Sequence, residues 1–105
     1  MPASVVVVLD EPDLAKTVAV ALRPVCSCVV FPDPMAALNA LEQASVTELL
    51  ITSIEFALGL PNGVALALAL RNRHLDNVKV MFVGPFATPE QIVECAKRIM
   101  GQSDA

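Results

Sequence analysis

An open, mainly parallel four-stranded sheet with helices on both faces is the fold the sequence predicts, as a single domain over residues 1–105. Three observations lead there. Of the residues, 55% are hydrophobic, yet only four are Phe and none is Trp or Tyr. Apolarity carried by Val, Ala, Leu and Ile suits strands buried on both faces. Second, four strand-like runs alternate with four helix-like stretches, the signature of repeated strand–helix units. Third, the connections are short, so successive strands must be joined by helical crossovers. A chain of this length can bury roughly two thirds of its unfolded surface.

The first unit opens with Val5–Leu9, a β-branched run read as strand 1. Asp10 is expected to cap helix 1, with Pro12 in its first turn and Leu14, Val18, Ala21 and Leu22 on its apolar side. Pro24 stops that helix, and "VCSCVVF" (Val25–Phe31) is strand 2. Asp33 caps helix 2 and Pro34 opens it, with Met35, Leu38 and Leu41 facing inward. "ELLITS" (Glu48–Ser53) is strand 3, and "ALGLPNG" after it is a loop rich in turn residues.

The next stretch, "VALALALR" from Val64, alternates with the period of a strand. Ala and Leu are nonetheless strong helix formers, and a parallel crossover needs a helix here. It is read as helix 3, ending around Arg73 and His74, where positive charge suits a helix C-terminus. "VKVMFV" (Val78–Val83) is strand 4. Thr88, Pro89 and Gln91 form a capping box for helix 4, whose stripe is Ile92, Val93, Ala96, Ile99 and Met100. Gly101 ends it, and 102–105 reads as a frayed tail.

Charge and composition exclude several functions. A net charge of −4, with no aromatics interleaved among basic residues, argues against nucleic-acid binding. Charges or prolines interrupt every apolar run before it reaches the ~18 residues of a membrane span. No basic segment precedes the N-terminal Val run, so it is not read as a signal peptide. The three cysteines, Cys26, Cys28 and Cys95, lack a disulfide spacing and fit reduced thiols of a cytoplasmic protein. Cys26 and Cys28 would share one face of strand 2 as buried thiols. His74 is the only histidine, which leaves a soft metal site short of ligands. Beside Arg71 and Arg73 it reads as part of a charge cluster.

Ligands of open parallel sheets bind at the carboxyl ends of the strands, which directs attention to Leu9, Ser53 and Val83. The stretch "VVVVLDEPDLA" (5–15) admits two phosphate-handling readings. A Walker B strand works beside a G-x-x-x-x-G-K-[ST] loop. No such loop occurs, and the four glycines, at 59, 63, 84 and 101, are scattered. That reading is discarded.

The other reading is a family resemblance. "VVVVLDEPDLAKTVAVAL", "LLITS…PNGVALALALR" and "VKVMFVG" resemble the first, third and fourth units of a response-regulator receiver domain of two-component signalling. The order and spacing of these pieces extend over almost the whole chain. The resemblance implies a flavodoxin-like fold with strand order 2-1-3-4, here lacking the last strand–helix unit and its lysine. It also implies a phosphorelay setting and an acidic pocket, and that pocket departs from the family pattern. Receivers place two acids at the end of strand 1; these positions hold Leu9 and Asp10, with Glu11 just after. The phosphoacceptor aspartate falls on Ser53 when counted from Glu48, or on Glu55 when counted back from Asn62-Gly63; Ser53 is preferred. The switch Ser/Thr falls on Val83. Asp10 alone is a poor ligand set for Mg²⁺, so no cofactor is expected.

The expectation is a degenerate receiver-like domain that is not an enzyme, is not phosphorylated, and acts by protein–protein interaction. Asp10 is then a helix cap, Ser53 bonds local backbone, and Glu55 is a solvated loop acid. Without a fifth strand, strand 4 would be an apolar edge that proteins rarely leave open. It should be covered by helix 4 folding back or by another subunit. A homodimer through strand 4 and helix 4 is favoured, with Val80, Phe82, Ile92, Cys95 and Ile99 at the interface. Two alternatives stand: a phosphorylatable receiver with Ser53 or Glu55 as acceptor, and a small flavodoxin-like enzyme or ligand-binding protein.

Overall fold

Strand and helix signals alternate along the chain, and so do the elements. In the computed structural model, which describes residues 3–43, 47–56, 62–72 and 78–101, they run β1 (Ala3–Val8), α1 (Pro12–Leu22), β2 (Cys26–Val30), α2 (Pro34–Gln43), β3 (Leu49–Ser53), α3 (Gly63–Asn72), β4 (Lys79–Val83) and α4 (Pro89–Ile99). All pairings are parallel, in the order β2-β1-β3-β4. The alternating segment after Asn62 is helical, as the composition requires over its period. The expected end of helix 3 at Arg73 and His74, and the tail 102–105, lie outside the described residues.

The period-two alternation of the central strands divides the core. Val5, Val7, Leu49, Ile51, Met81 and Val83 point to one face, where Ala15, Val18, Leu22, Ile92 and Ala96 of α1 and α4 cover them. Val6, Val8 and Leu50 point to the other, under Leu38 and Leu41 of α2 and Leu66 and Leu70 of α3. β3 is buried along its whole length. Cys26 and Cys28 lie on the α1 face of β2 and are buried, whereas Cys95 is exposed.

Local signals locate the helix starts. Asp33 accepts the Ala36 N–H at 2.8 Å, and Asn62 accepts that of Ala65 at 2.7 Å. Thr88 and Gln91 form the reciprocal capping box of α4. Helix 1 departs from expectation. Its N-cap is Glu11, without a side-chain hydrogen bond, and Asp10 lies one residue outside. Pro12 sets the first helical φ there, so the helix starts without a side-chain cap. Met35, expected inside, is half exposed, and α2 packs through Ala37, Leu38 and Leu41. Ala21 is likewise exposed; Ala15 and Ala19 take the inner side of α1.

The placement of α4 shapes the edge of the sheet. Right-handed crossovers in opposite directions put α1 on one face and α2 and α3 on the other. On the α1 side, α1 packs on β2, so the inner residues of β3 and β4 need another cover. α4 folds back to supply it, packing against α1 and over Met81 and Val83. One of the two coverings expected for strand 4 is thus present on this face. The outer backbone edge of β4 has no neighbour among the described residues.

Candidate functional site

The strand order reverses between β1 and β3, and the chain leaves both strands at their carboxyl ends side by side. The pairing of these strands ends at Val8 with Thr52. The next residues, Leu9–Asp10 and Ser53, therefore meet over the top of the sheet. Ser53, only 5% exposed, exchanges two hydrogen bonds with Asp10. Its Oγ accepts the Asp10 backbone N–H at 3.0 Å and donates to Asp10 Oδ1 at 3.0 Å. Two expectations are corrected here. Asp10 clasps Ser53 rather than capping helix 1, and Ser53 bonds a residue 43 positions away rather than local backbone. Both follow from the late start of α1, which leaves Asp10 in a bend beside the end of β3.

The neighbouring positions are apolar or solvated. Leu9 is 3% exposed and belongs to the α1-side core. Val83, at the end of β4, is also buried. Glu11 and Glu55 are exposed. Asp10, Ser53, Ile54, Glu55, Val83, Gly84 and Pro85 enclose a hollow of about 140 Å³. The larger groove, about 770 Å³, lies between α1 and the outer side of β2, at Ala15, Ala19, Cys28 and Val30, with Lys16 and Arg23 among its lining residues. It does not include Asp10, Ser53 or Val83. The small hollow is the one we take as the candidate site, because it lies where the strand order reverses.

One contact went unnoticed in the sequence. Gly63 N–H donates to Ile54 O at 2.8 Å, and a Cβ on Gly63 would collide with the Ser53 carbonyl oxygen. Thr52 Oγ1 donates to that same carbonyl oxygen at 3.0 Å. The absence of a side chain at Gly63 thus allows the start of α3 to press on the backbone of Ser53. The glycine itself was the only available signal, and a close approach is one of several uses of glycine.

The magnesium ion that the receiver resemblance implies does not fit this donor set. Mg²⁺ demands near-octahedral oxygen coordination. Leu9 contributes hydrocarbon where an acid would stand, and one oxygen of Asp10 already accepts the Ser53 hydroxyl. No group of three His, Cys, Asp or Glu side chains suited to a metal occurs among the described residues. The two buried thiols of β2 are held in the protonated form, which is a poor nucleophile. Burial pushes the Cys26 thiol above its ordinary value. Cys28 rises to about 11, through burial first and the neighbouring Cys26 second, against a lowering by Arg23.

The residues expected at a strand 4–helix 4 interface do not form one surface. Ile92 is 1% exposed and packs in the core with Ala96, so it is unavailable to a partner. Ile99 packs at the edge of the same core, and Cys95 is exposed on α4. Phe82, 43% exposed, faces the opposite side of the sheet with Val80. The physical cause is the return of α4 to the α1 face, which separates its stripe from the exposed side of β4.

Protein-family profiles give no match to the chain, and neither do curated protein sequences. Solved structures do. The receiver domain of the hybrid histidine kinase CckA superposes with a TM-score of 0.76 at 21% identity, covering 93% of this chain and 99% of that one. The chemotaxis response regulator CheY4 of Vibrio cholerae gives 0.76 at 14% identity, over 94% and 99%. A response regulator receiver domain protein from Bacillus halodurans C-125 gives 0.74 at 16% identity, over 100% of both chains. No helix among the described residues is long and apolar enough to cross a membrane. The chain has the flavodoxin-like fold of response-regulator receiver domains, in a four-stranded form with order 2-1-3-4.

Proposed function

We propose that this chain is a receiver-like module of a two-component or phosphorelay system that does not carry phosphate and acts through protein–protein contact. The observation that carries the reading is the clasp between Ser53 and Asp10. At the position the resemblance gives to a phosphoacceptor carboxylate stands a nearly buried hydroxyl. The hydroxyl is already satisfied by the one acid that remains. Leu9 and Val83 replace an acid and a hydroxyl with hydrocarbon on either side. Phosphoryl transfer to a carboxylate needs that nucleophile together with charge neutralisation at the incoming phosphate; Ser53 supplies no carboxylate, and Asp10 alone is a poor ligand set for Mg²⁺. The retained scaffold and altered pocket favour a role in which shape is recognised.

The test is incubation with acetyl phosphate and Mg²⁺, followed by intact-mass measurement. The expected result is an unmodified chain. A stable phosphoryl adduct would overturn the reading.

One observation favours a second reading, in which Ser53 is the acceptor: its hydroxyl already donates to a carboxylate that could receive its proton. Ser53 Oγ would bond to phosphorus as the donor's acetate leaves, and the proton would pass to Asp10. An adduct lost in Ser53→Ala would establish it. An adduct that survives Ser53→Ala and is lost in Glu55→Gln would assign the exposed Glu55 instead.

A further inference from the structure

We infer that the outer edge of β4, which has no neighbour among the described residues, pairs antiparallel with β4 of a second copy of this chain, joining two sheets into one of eight strands. This inference rests on the proposed role in protein contact and names the partner. The orientation of the strand's backbone determines the geometry. Lys79 N–H donates inward to Glu48 O at 2.9 Å. With a period of two, Met81 and Val83 also turn their backbone groups toward β3, leaving those of Val80 and Phe82 facing outward. A two-fold axis through Met81 sets Val80 opposite Phe82 of the second copy, and Phe82 opposite its Val80. Both are then hydrogen-bonded antiparallel pairs, so every outward N–H and C=O of these two residues is satisfied.

The side chains suit the same register. Val80 and Phe82 lie on the α3 side, where a groove of about 670 Å³ runs between β4 and Val64, Leu68 and Leu70. Phe82, Val64 and Leu68 are 43%, 47% and 55% exposed in the single chain. The register places each Phe82 against Val80 of the other copy, an aromatic–β-branched pair at the mouth of both grooves. Charge does not oppose it. Lys79 is the only charged residue of β4, and its Nζ lies 3.4 Å from Ile99 O on the α4 side. Across the axis it meets Val83 rather than another lysine. The β2 edge is a poorer template, because Pro24 and Pro32 flank it closely on both sides.

Sedimentation velocity across a dilution series, paired with amide hydrogen exchange of the intact chain, tests this. A species of twice 11.1 kDa is expected at tens of micromolar, with Val80 and Phe82 amides protected in proportion to dimer. Phe82→Lys should weaken association by about tenfold or more, with helical circular dichroism unchanged. A monomer throughout the series overturns the inference, as does a dimer in which those two amides exchange freely. The exchange measurement needs no variant, so a folding defect in Phe82→Lys leaves the test standing. A monomer that takes no phosphate removes the dimer alone, whereas phosphate uptake removes the functional reading.

Discussion

The clasp between Asp10 and Ser53 makes an energetic claim as well as a functional one. Ser53→Ala removes both hydrogen bonds and leaves the Asp10 N–H without its partner, which should cost about 1–2 kcal/mol in urea unfolding. Asp10→Ala removes only the side-chain bond and should cost less. A double-mutant cycle should then show coupling, since the two residues act as one unit. Independent, additive effects would mean that the bonds do not hold in solution. The buried thiols make a second claim. Their folded-state pKa values are raised, so their contribution to stability is intact below the ordinary value of 9.0 and is lost as pH climbs toward about 11. Unfolding midpoints should decline across that window in the parent and less in Cys28→Ala. At neutral pH an iodoacetamide-type reagent should label Cys95 and spare Cys26 and Cys28.

Among the elements, α3 and α4 show what was readable and what was not. The capping box at Thr88 is a strictly local signal, legible because both partners lie within four residues. Thr88→Ala should cost about 1 kcal/mol. The helical state of the Val64–Leu70 segment was also legible, because composition and crossover length outweigh a misleading period. The start of helix 1 was not. A proline and three acids lie within four residues there, and which acid caps depends on where β1 stops. The candidate site suffered likewise. Its positions could be counted along the chain, but a bond spanning 43 residues leaves no trace in spacing. Gly63 and Gly84 make the contrast testable. Gly63→Ala drives a Cβ into the Ser53 backbone, which has little freedom to yield inside a buried strand, and should cost about 1–3 kcal/mol. Gly84 has open space around its missing Cβ, so Gly84→Ala should stay within about 0.5 kcal/mol.

The whole molecule depends on α4 more than its terminal position suggests. Alternation along β3 and β4 sends Leu49, Ile51, Met81 and Val83 to the side that α1 does not fully cover. The amphipathic stripe of α4 was plain in the sequence, but its destination was not. A stripe reports that a face is buried, and topology decides against what. The two roles given to Ile92 make opposite predictions. As a core residue, 1% exposed, Ile92→Ala should cost about 2–4 kcal/mol and be felt at any protein concentration. As an interface residue it would destabilise mainly through dimer dissociation, with an effect that fades on dilution. Thermal unfolding of the variant at two widely separated concentrations distinguishes them. The expected outcome is the same loss relative to the parent at both. Cys95→Ala, an exposed change on the same helix, should then be near neutral. If Ile92→Ala also exposes dye-binding apolar surface while helical signal remains, α4 is what turns a collapsed sheet into a packed one. The outer edge of β4, which has no neighbour among the described residues, is then available for pairing without the loss of any core contact.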